Sequence, residues 1–190
     1  MSINMSNLEW LIDKAKEYGV EKESEFVLDG RFATWSGSSK PTAHHYGTGG
    51  LLEHVTEVVK LCLQSNEYFK TIDKGVDDRL LFLAALFHDV GKIWDYESYT
   101  DYNTGEIIWK SNDHKNKIHH ISRSVIVWNE ASVNMKQEER DEVTHAILAH
   151  HGQRAWGSPV EPQTRLAWLL HTCDHMSARM DDCDRKNGRA

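Results

Sequence analysis

The 190-residue chain is poor in cysteine, in positive charge and in long apolar runs, and each shortage excludes something. Its three cysteines, Cys62, Cys173 and Cys183, are odd in number and make no CxxC pair, which argues against a disulfide framework and fits a reducing cytoplasm. No apolar run exceeds the eight residues 80–87, and the first thirty residues hold no apolar segment, so neither a membrane span nor a secretion leader is expected. Lysine and arginine number 22 against 29 aspartates and glutamates, a formal net charge of -7, so a broad electrostatic grip on nucleic acid is not expected. Any contact with a nucleotide would be local, and bound divalent cations would reverse the sign of the field there. There is no internal repeat, low-complexity tract or internal break. The length suits one well-cored domain over 1–190, with an N-terminal helix and loop to 45, a core over 46–183 and a tail over 184–190.

What the chain has in plenty is histidine, twelve in all, a common metal ligand and proton carrier. Their placement therefore matters more than their number. In LLFLAALFHDVGK, residues 80–92, the leucine and alanine richness without β-branched residues predicts a buried helix that ends at His88 and Asp89, with Gly91 as its stop. An imidazole beside a carboxylate in so apolar a setting is costly unless a metal or a hydrogen-bonded partner compensates, and the carbonyls at a helix C-terminus favour a cation.

The remaining pattern predicts an all-α bundle. Apolar stripes place helices over 7–18 and 51–69, with His54 on the apolar side of the second, and a third begins at Val76 with Asp77 and Asp78 in its first turn. Residues 26–50, rich in glycine, serine and threonine, are expected to be irregular with one short strand, and Gly49, Gly50 and the SGSS loop to form a lip over a pocket. WDYESYTDYNTGEIIW, residues 94–109, reads as a small β-hairpin insertion around an Asn-Thr-Gly-Glu turn, and helices resume from about His119.

If these helices bundle, the polar residues embedded in their stripes converge: His54, His88 with Asp89, His120, His150 with His151, and Asp174. His119 competes with His120, because the start of that helix can shift by one residue. Asp89 could bridge two cations through its two oxygens. Mixed nitrogen and oxygen ligands without thiolate suit two divalent transition ions, Mn, Fe, Co, Ni or Zn, and the set is one of two-metal phosphoester chemistry. Of the other histidines, His145 reads as structural or solvated, His171 as a partner of Asp174 or a core residue, and His114, His119 and His175 as exposed. Trp35 and Trp156 either stack on a base or fill the core or its rim.

The ordered pattern of His54, FHDVGK, His120, AHHG and CDHMSA with Asp174 resembles the HD superfamily of metal-dependent phosphohydrolases over roughly residues 30–182. Within it, GGLLEHV, LFHDVGK, ILAHHG, WGSPVEPQT and LLHTCDHMSARM resemble the HD domain of YhaM-type 3'-5' exoribonucleases. The resemblance implies that His54, His88, Asp89 and Asp174 hold one metal, and that Asp89, His120 and His150 hold a second with His151 beside it as ligand or phosphate contact. It further implies a catalytic or substrate-facing role for Lys92 and places His45 and Arg154 on the substrate side. Proton donation falls to His45, His120 or His151. Enzymes of that type resemble an OB-fold module joined to the HD domain, and the roughly fifty residues before His54 are too few for such a barrel. The expected partner is therefore a nucleotide or a short single-stranded nucleic acid, with no membrane involved. The alternatives are a nucleoside mono- or triphosphate hydrolase or cyclic-nucleotide phosphodiesterase on the same site, a non-catalytic metal-stabilised regulatory module, and a di-iron oxygenase.

Overall fold

The computed structural model of the protein describes residues 5–187. Its centre is helix α5 (Asp78–Phe87), whose residues from Leu81 to Phe87 are fully buried, as their uninterrupted apolar run requires. Asp77 lies just outside the helix, where its side chain accepts the amide of Leu80 as an N-cap; it is not part of the first turn. Around α5 pack α4 (Gly50–Lys70), α8 (His120–Ala131), α9 (Gln137–Ala149) and α10 (Arg165–Lys186), with α1 (Met5–Glu17) laid against α4. Buried Asn66 clamps the α4–α5 connection: its amide group donates to the Val76 carbonyl and the Asp78 carboxylate, and its oxygen accepts the Val76 amide. Trp128 of α8 meets Phe87 edge-on at 5.2 Å and donates its indole N–H to the Arg140 carbonyl, which satisfies the one polar atom it buries.

The short elements differ most from expectation. Residues 26–50 contain no strand among the described residues, only α3 (Gly30–Thr34), capped by Asp29, and a single bridge between Ser38 and Tyr46; α2 (Glu21–Ser24) precedes them. The loop is packed down. Ser36 and Ser38 are buried, and a Cβ on Gly50 would lie 2.0 Å from the His45 carbonyl oxygen, so glycine there serves a close approach. The hairpin is present but shifted to β1 (Tyr96–Thr100) and β2 (Ile107–Ser111), in antiparallel register from Tyr96 opposite Ser111 to Thr100 opposite Ile107. The residues before it form one helical turn, α6 (Lys92–Asp95), which sets the true start, and a second small helix, α7 (Asp113–Lys117), follows. Buried Trp109 fixes the hairpin to the body by packing edge-on against Trp35 at 4.9 Å, and its amide donates to the Tyr46 hydroxyl. No helix among the described residues is long and apolar enough to cross a membrane.

The core of α5 makes a direct prediction. Phe82 is fully buried with its ring 5.6 Å from that of Tyr18. Phe82→Ala is expected to lower unfolding free energy by about 3–5 kcal/mol, measured by urea denaturation of metal-free protein.

Candidate active site

The site is built on the two oxygens of Asp89, which face opposite ways. Oδ2 lies 3.2 Å from His54 Nε2 and 3.4 Å from His88 Nε2, and Asp174 Oδ1 closes this side at 3.1 Å from His54 Nε2. Oδ1 lies 3.6 Å from His120 Nε2 and 3.7 Å from His150 Nε2, and His151 Nε2 joins this second side at 3.3 Å from His120. The ligand atoms come from α4, the ends of α5 and α9, the start of α8 and the middle of α10. Only the bundle brings them together.

Each imidazole is turned so that Nε2 points inward. His88 and His150 sit at the C-terminal ends of α5 and α9 and use the same local device: Nδ1 donates to the carbonyl three residues back, Ala85 and Ile147, both at 2.7 Å. His120 Nδ1 donates to Asp95, and His151 Nδ1 to the Trp156 carbonyl. Ser177 donates its hydroxyl proton to Glu57, so it accepts from His54 Nδ1 at 3.1 Å. With every Nδ1 committed to an acceptor, the proton is held away from Nε2 and a lone pair is left at the centre.

Five inward ring nitrogens and two carboxylates brought together in a buried space make a donor set suited to cations. Asp89 Oδ1 and His150 Nε2 are fully buried and have no hydrogen-bond partner. The inward nitrogens of His54 and His88 are 3.4 Å apart, within the ~3–3.5 Å by which ligand atoms are separated around an ion bonded at about 2.0–2.2 Å. Two sets of donors, His54, His88, Asp89 and Asp174 on one side and His120, His150 and His151 on the other, lie close enough for each to hold an ion. The residues therefore fit divalent metals.

Electrostatics agree with that reading. Burial alone would raise the Asp89 carboxyl, but the charges of Lys92 and His88 outweigh it and hold the group well below the usual carboxylate range. Burial works against a charge on His88, yet the Asp89 and Asp174 carboxylates prevail and lift its pKa to about 10 without metal. His150 is pushed well down by burial and its imidazole neighbours, and His120 to about 4, chiefly by burial. Both remain neutral, as ligands must.

The roles of several supporting residues depend on neighbours distant in the chain. Gly91 is not a helix stop: its φ is -60° and the chain runs on into α6. A Cβ there would lie 2.1 Å from the His120 carbonyl oxygen, so glycine is needed for α8 to approach the end of α5. Asp95, fully buried, accepts from the His120 ring, the His120 amide and the His114 ring, so His114 is a brace rather than a solvated residue. His171 donates to the His150 carbonyl at 2.8 Å and packs beneath Gly152. His119 stays at the edge with φ 69°, and its neighbour His120 takes the inward place.

A pocket of about 240 Å³ opens over the cluster, bounded by His44, Lys92, His151, Trp156, His175 and Arg179 as well as Asp89 and Asp174. Lys92 is buried with Nζ 2.6 Å from Asp89 Oδ2; burial favours its neutral form, but the carboxylate overrides this and keeps it a cation. Two expected substrate-side residues lie elsewhere. His45 turns its Nε2 to Glu57, 3.1 Å away, and His44 occupies the pocket wall instead. Arg154 borders a different groove with His145 and Glu161, and Arg179 supplies the pocket's second cation. Trp35 packs into the body against Trp109, whereas Trp156 stands at the pocket.

A family model described as the HD domain matches residues 51–179, a span that takes in every residue of the cluster. The chain is 26% identical over 186 residues to the 3'-5' exoribonuclease YhaM of Bacillus subtilis (strain 168); the alignment covers 95% of this chain and 55% of that protein, so the chain spans about half the length of this curated relative. No solved structure gave a significant match.

Two measurements probe the site. Because His88 is protonated below about pH 10 in the metal-free protein and must lose that proton to bind through Nε2, metal uptake near neutral pH should release about one proton and tighten as pH rises. Titration calorimetry with Mn in buffers of different ionisation enthalpy would show it, and equal heats in all buffers would contradict it. Gly91→Ala should displace His120 and lower metal content by about one ion per chain while the helical circular dichroism remains, as read by elemental analysis after dialysis.

Proposed function

Because this chain belongs to the HD-domain family, we propose that it is a metal-dependent phosphohydrolase that cleaves phosphoester bonds of nucleotides or short oligonucleotides from the 3' end. The observation that carries this is Asp89, whose two oxygens stand between two sets of inward-facing histidine nitrogens under a pocket walled by Lys92 and Arg179. The likeness to an exoribonuclease supports the 3'-ended substrate. We assign His54, His88, Asp89 and Asp174 to one divalent ion and Asp89, His120 and His150 to a second, drawn from Mn, Fe, Co, Ni and Zn. When bound, such ions lower the pKa of water and neutralise charge on phosphate oxygens.

The reaction adds water across the ester: its oxygen joins phosphorus, the P–O3' bond breaks, and the departing 3'-oxygen takes up a proton. Lys92, kept cationic by Asp89, holds a phosphate oxygen and offsets charge that grows during attack. His151 is the proton carrier. Of the three histidines that the sequence leaves open for this role, His45 is tied to Glu57 and His120 faces Asp89, whereas His151 borders the pocket with Nδ1 fixed by the Trp156 carbonyl and Nε2 turned inward, 3.3 Å from His120 Nε2. Burial holds its pKa below the ordinary value, so at neutral pH Nε2 is ready to accept the water's proton before passing it to the leaving oxygen.

Hydrolysis of bis(p-nitrophenyl) phosphate, nucleoside mono- and triphosphates, cyclic nucleotides and short single strands with added Mn tests the proposal. Stepwise release of nucleoside monophosphates from 3' ends is the expected result; turnover of free or cyclic nucleotides alone would favour the nucleotidase or phosphodiesterase reading, and no turnover would leave a binding module. Asp89→Ala should abolish both hydrolysis and metal binding. His151→Ala should lower kcat by about 10²–10⁴-fold while metal content is retained.

A further inference from the structure

Four rings form a row that leaves the pocket and runs along α10. Trp156, half exposed at the pocket wall, is stacked on His175 with centroids 5.6 Å apart and planes 19° from parallel. His171 lies 6.4 Å from Trp156 and 6.0 Å from His175, and Trp168, 55% exposed, lies 5.9 Å beyond His171. The spacing of residues 168, 171 and 175 puts them on one face of the helix.

Trp168 also borders a second groove, with Phe69, Met176, Lys74 and Arg165. In a chain of net charge -7, that groove is lined by two cations and by no carboxylate. Indole faces open to solvent beside cations match the chemistry of a single-stranded polynucleotide, in which bases offer π-faces and phosphates offer negative charge. The seven steps from residue 168 to residue 175 span about 10 Å of helix, roughly the length of three nucleotides stacked at 3.4 Å.

We propose that this aromatic row is the track for the strand upstream of the scissile phosphate. Trp156, backed by His175, receives the base adjoining that phosphate, Trp168 receives one further along, and Lys74 and Arg165 face the backbone. The inference rests on the phosphohydrolase reading of the pocket and adds a preference for oligonucleotides over mononucleotides.

The test measures kcat/KM for bis(p-nitrophenyl) phosphate and for single strands of two to eight nucleotides, and the Kd for a fluorescein-labelled hexanucleotide by anisotropy. Wild type, Trp156→Ala, Trp168→Ala and Trp168→Phe are compared. In wild type, KM should fall as length increases from two to about five nucleotides. Trp168→Ala should lower the hexanucleotide to bis(p-nitrophenyl) phosphate ratio of kcat/KM by about 5- to 150-fold, with the loss in KM and in Kd, and Trp168→Phe should restore most of it. Trp156→Ala should raise KM for dinucleotides as well. A KM independent of length, or an unchanged hexanucleotide Kd in Trp168→Ala, overturns the track. Failure to hydrolyse any substrate would instead overturn the phosphohydrolase reading, and the anisotropy measurement would still decide the track.

Discussion

Two carboxylate oxygens of one buried aspartate, each facing its own set of inward-turned imidazole nitrogens, set the terms for the rest of this structure. In water such an arrangement would fall apart or take up protons. In a dry core it demands cations, and the demand is visible in Asp89 Oδ1 and His150 Nε2, which are buried without a partner. The adjacent Lys92 shows the same pressure, since it stays charged in a buried place because Asp89 is beside it.

Holding five imidazoles in that posture takes a scaffold rather than a motif. The ends of α5 and α9 provide it through their own last carbonyls, which fix His88 and His150 without help from elsewhere in the chain. The other rings depend on distant residues: His54 on Ser177 and Glu57 across α4 and α10, His120 on Asp95 across the hairpin insertion. Asp95 and His114 stand just before and just after the hairpin, which gives this small β element a structural reason to sit where it does. The buried apolar run of α5, Leu81 to Phe87, is the post against which these contacts are made.

The surface around the pocket suits the anionic substrate that we propose. Divalent ions would bring positive charge to the cluster, and four cationic side chains stand near it, Lys92 and Arg179 in the pocket and Lys74 and Arg165 in the groove beside Trp168. Attraction of the proposed substrate would be local and directional.

Much of this was legible in the sequence because it follows from local periodicity and from the chemistry of rare residues in apolar surroundings. The long helices, the hairpin and the convergence of His54, His88, Asp89, His120, His150 and Asp174 required only that amphipathic stripes bury their apolar faces, since polar residues on those faces must then meet. What depended on through-space neighbours was not legible. The role of Gly91 is set by the backbone of His120, the choice of His44 over His45 at the pocket by a left-handed turn at His45 and its bond to Glu57, and the choice of Arg179 over Arg154 by the direction of α10. Sequence by itself determined which residues had to be neutralised together. Only the tertiary structure decided which atom of each faces inward and which of two adjacent residues borders the pocket, because hydrogen-bond partners distant in the chain orient each ring.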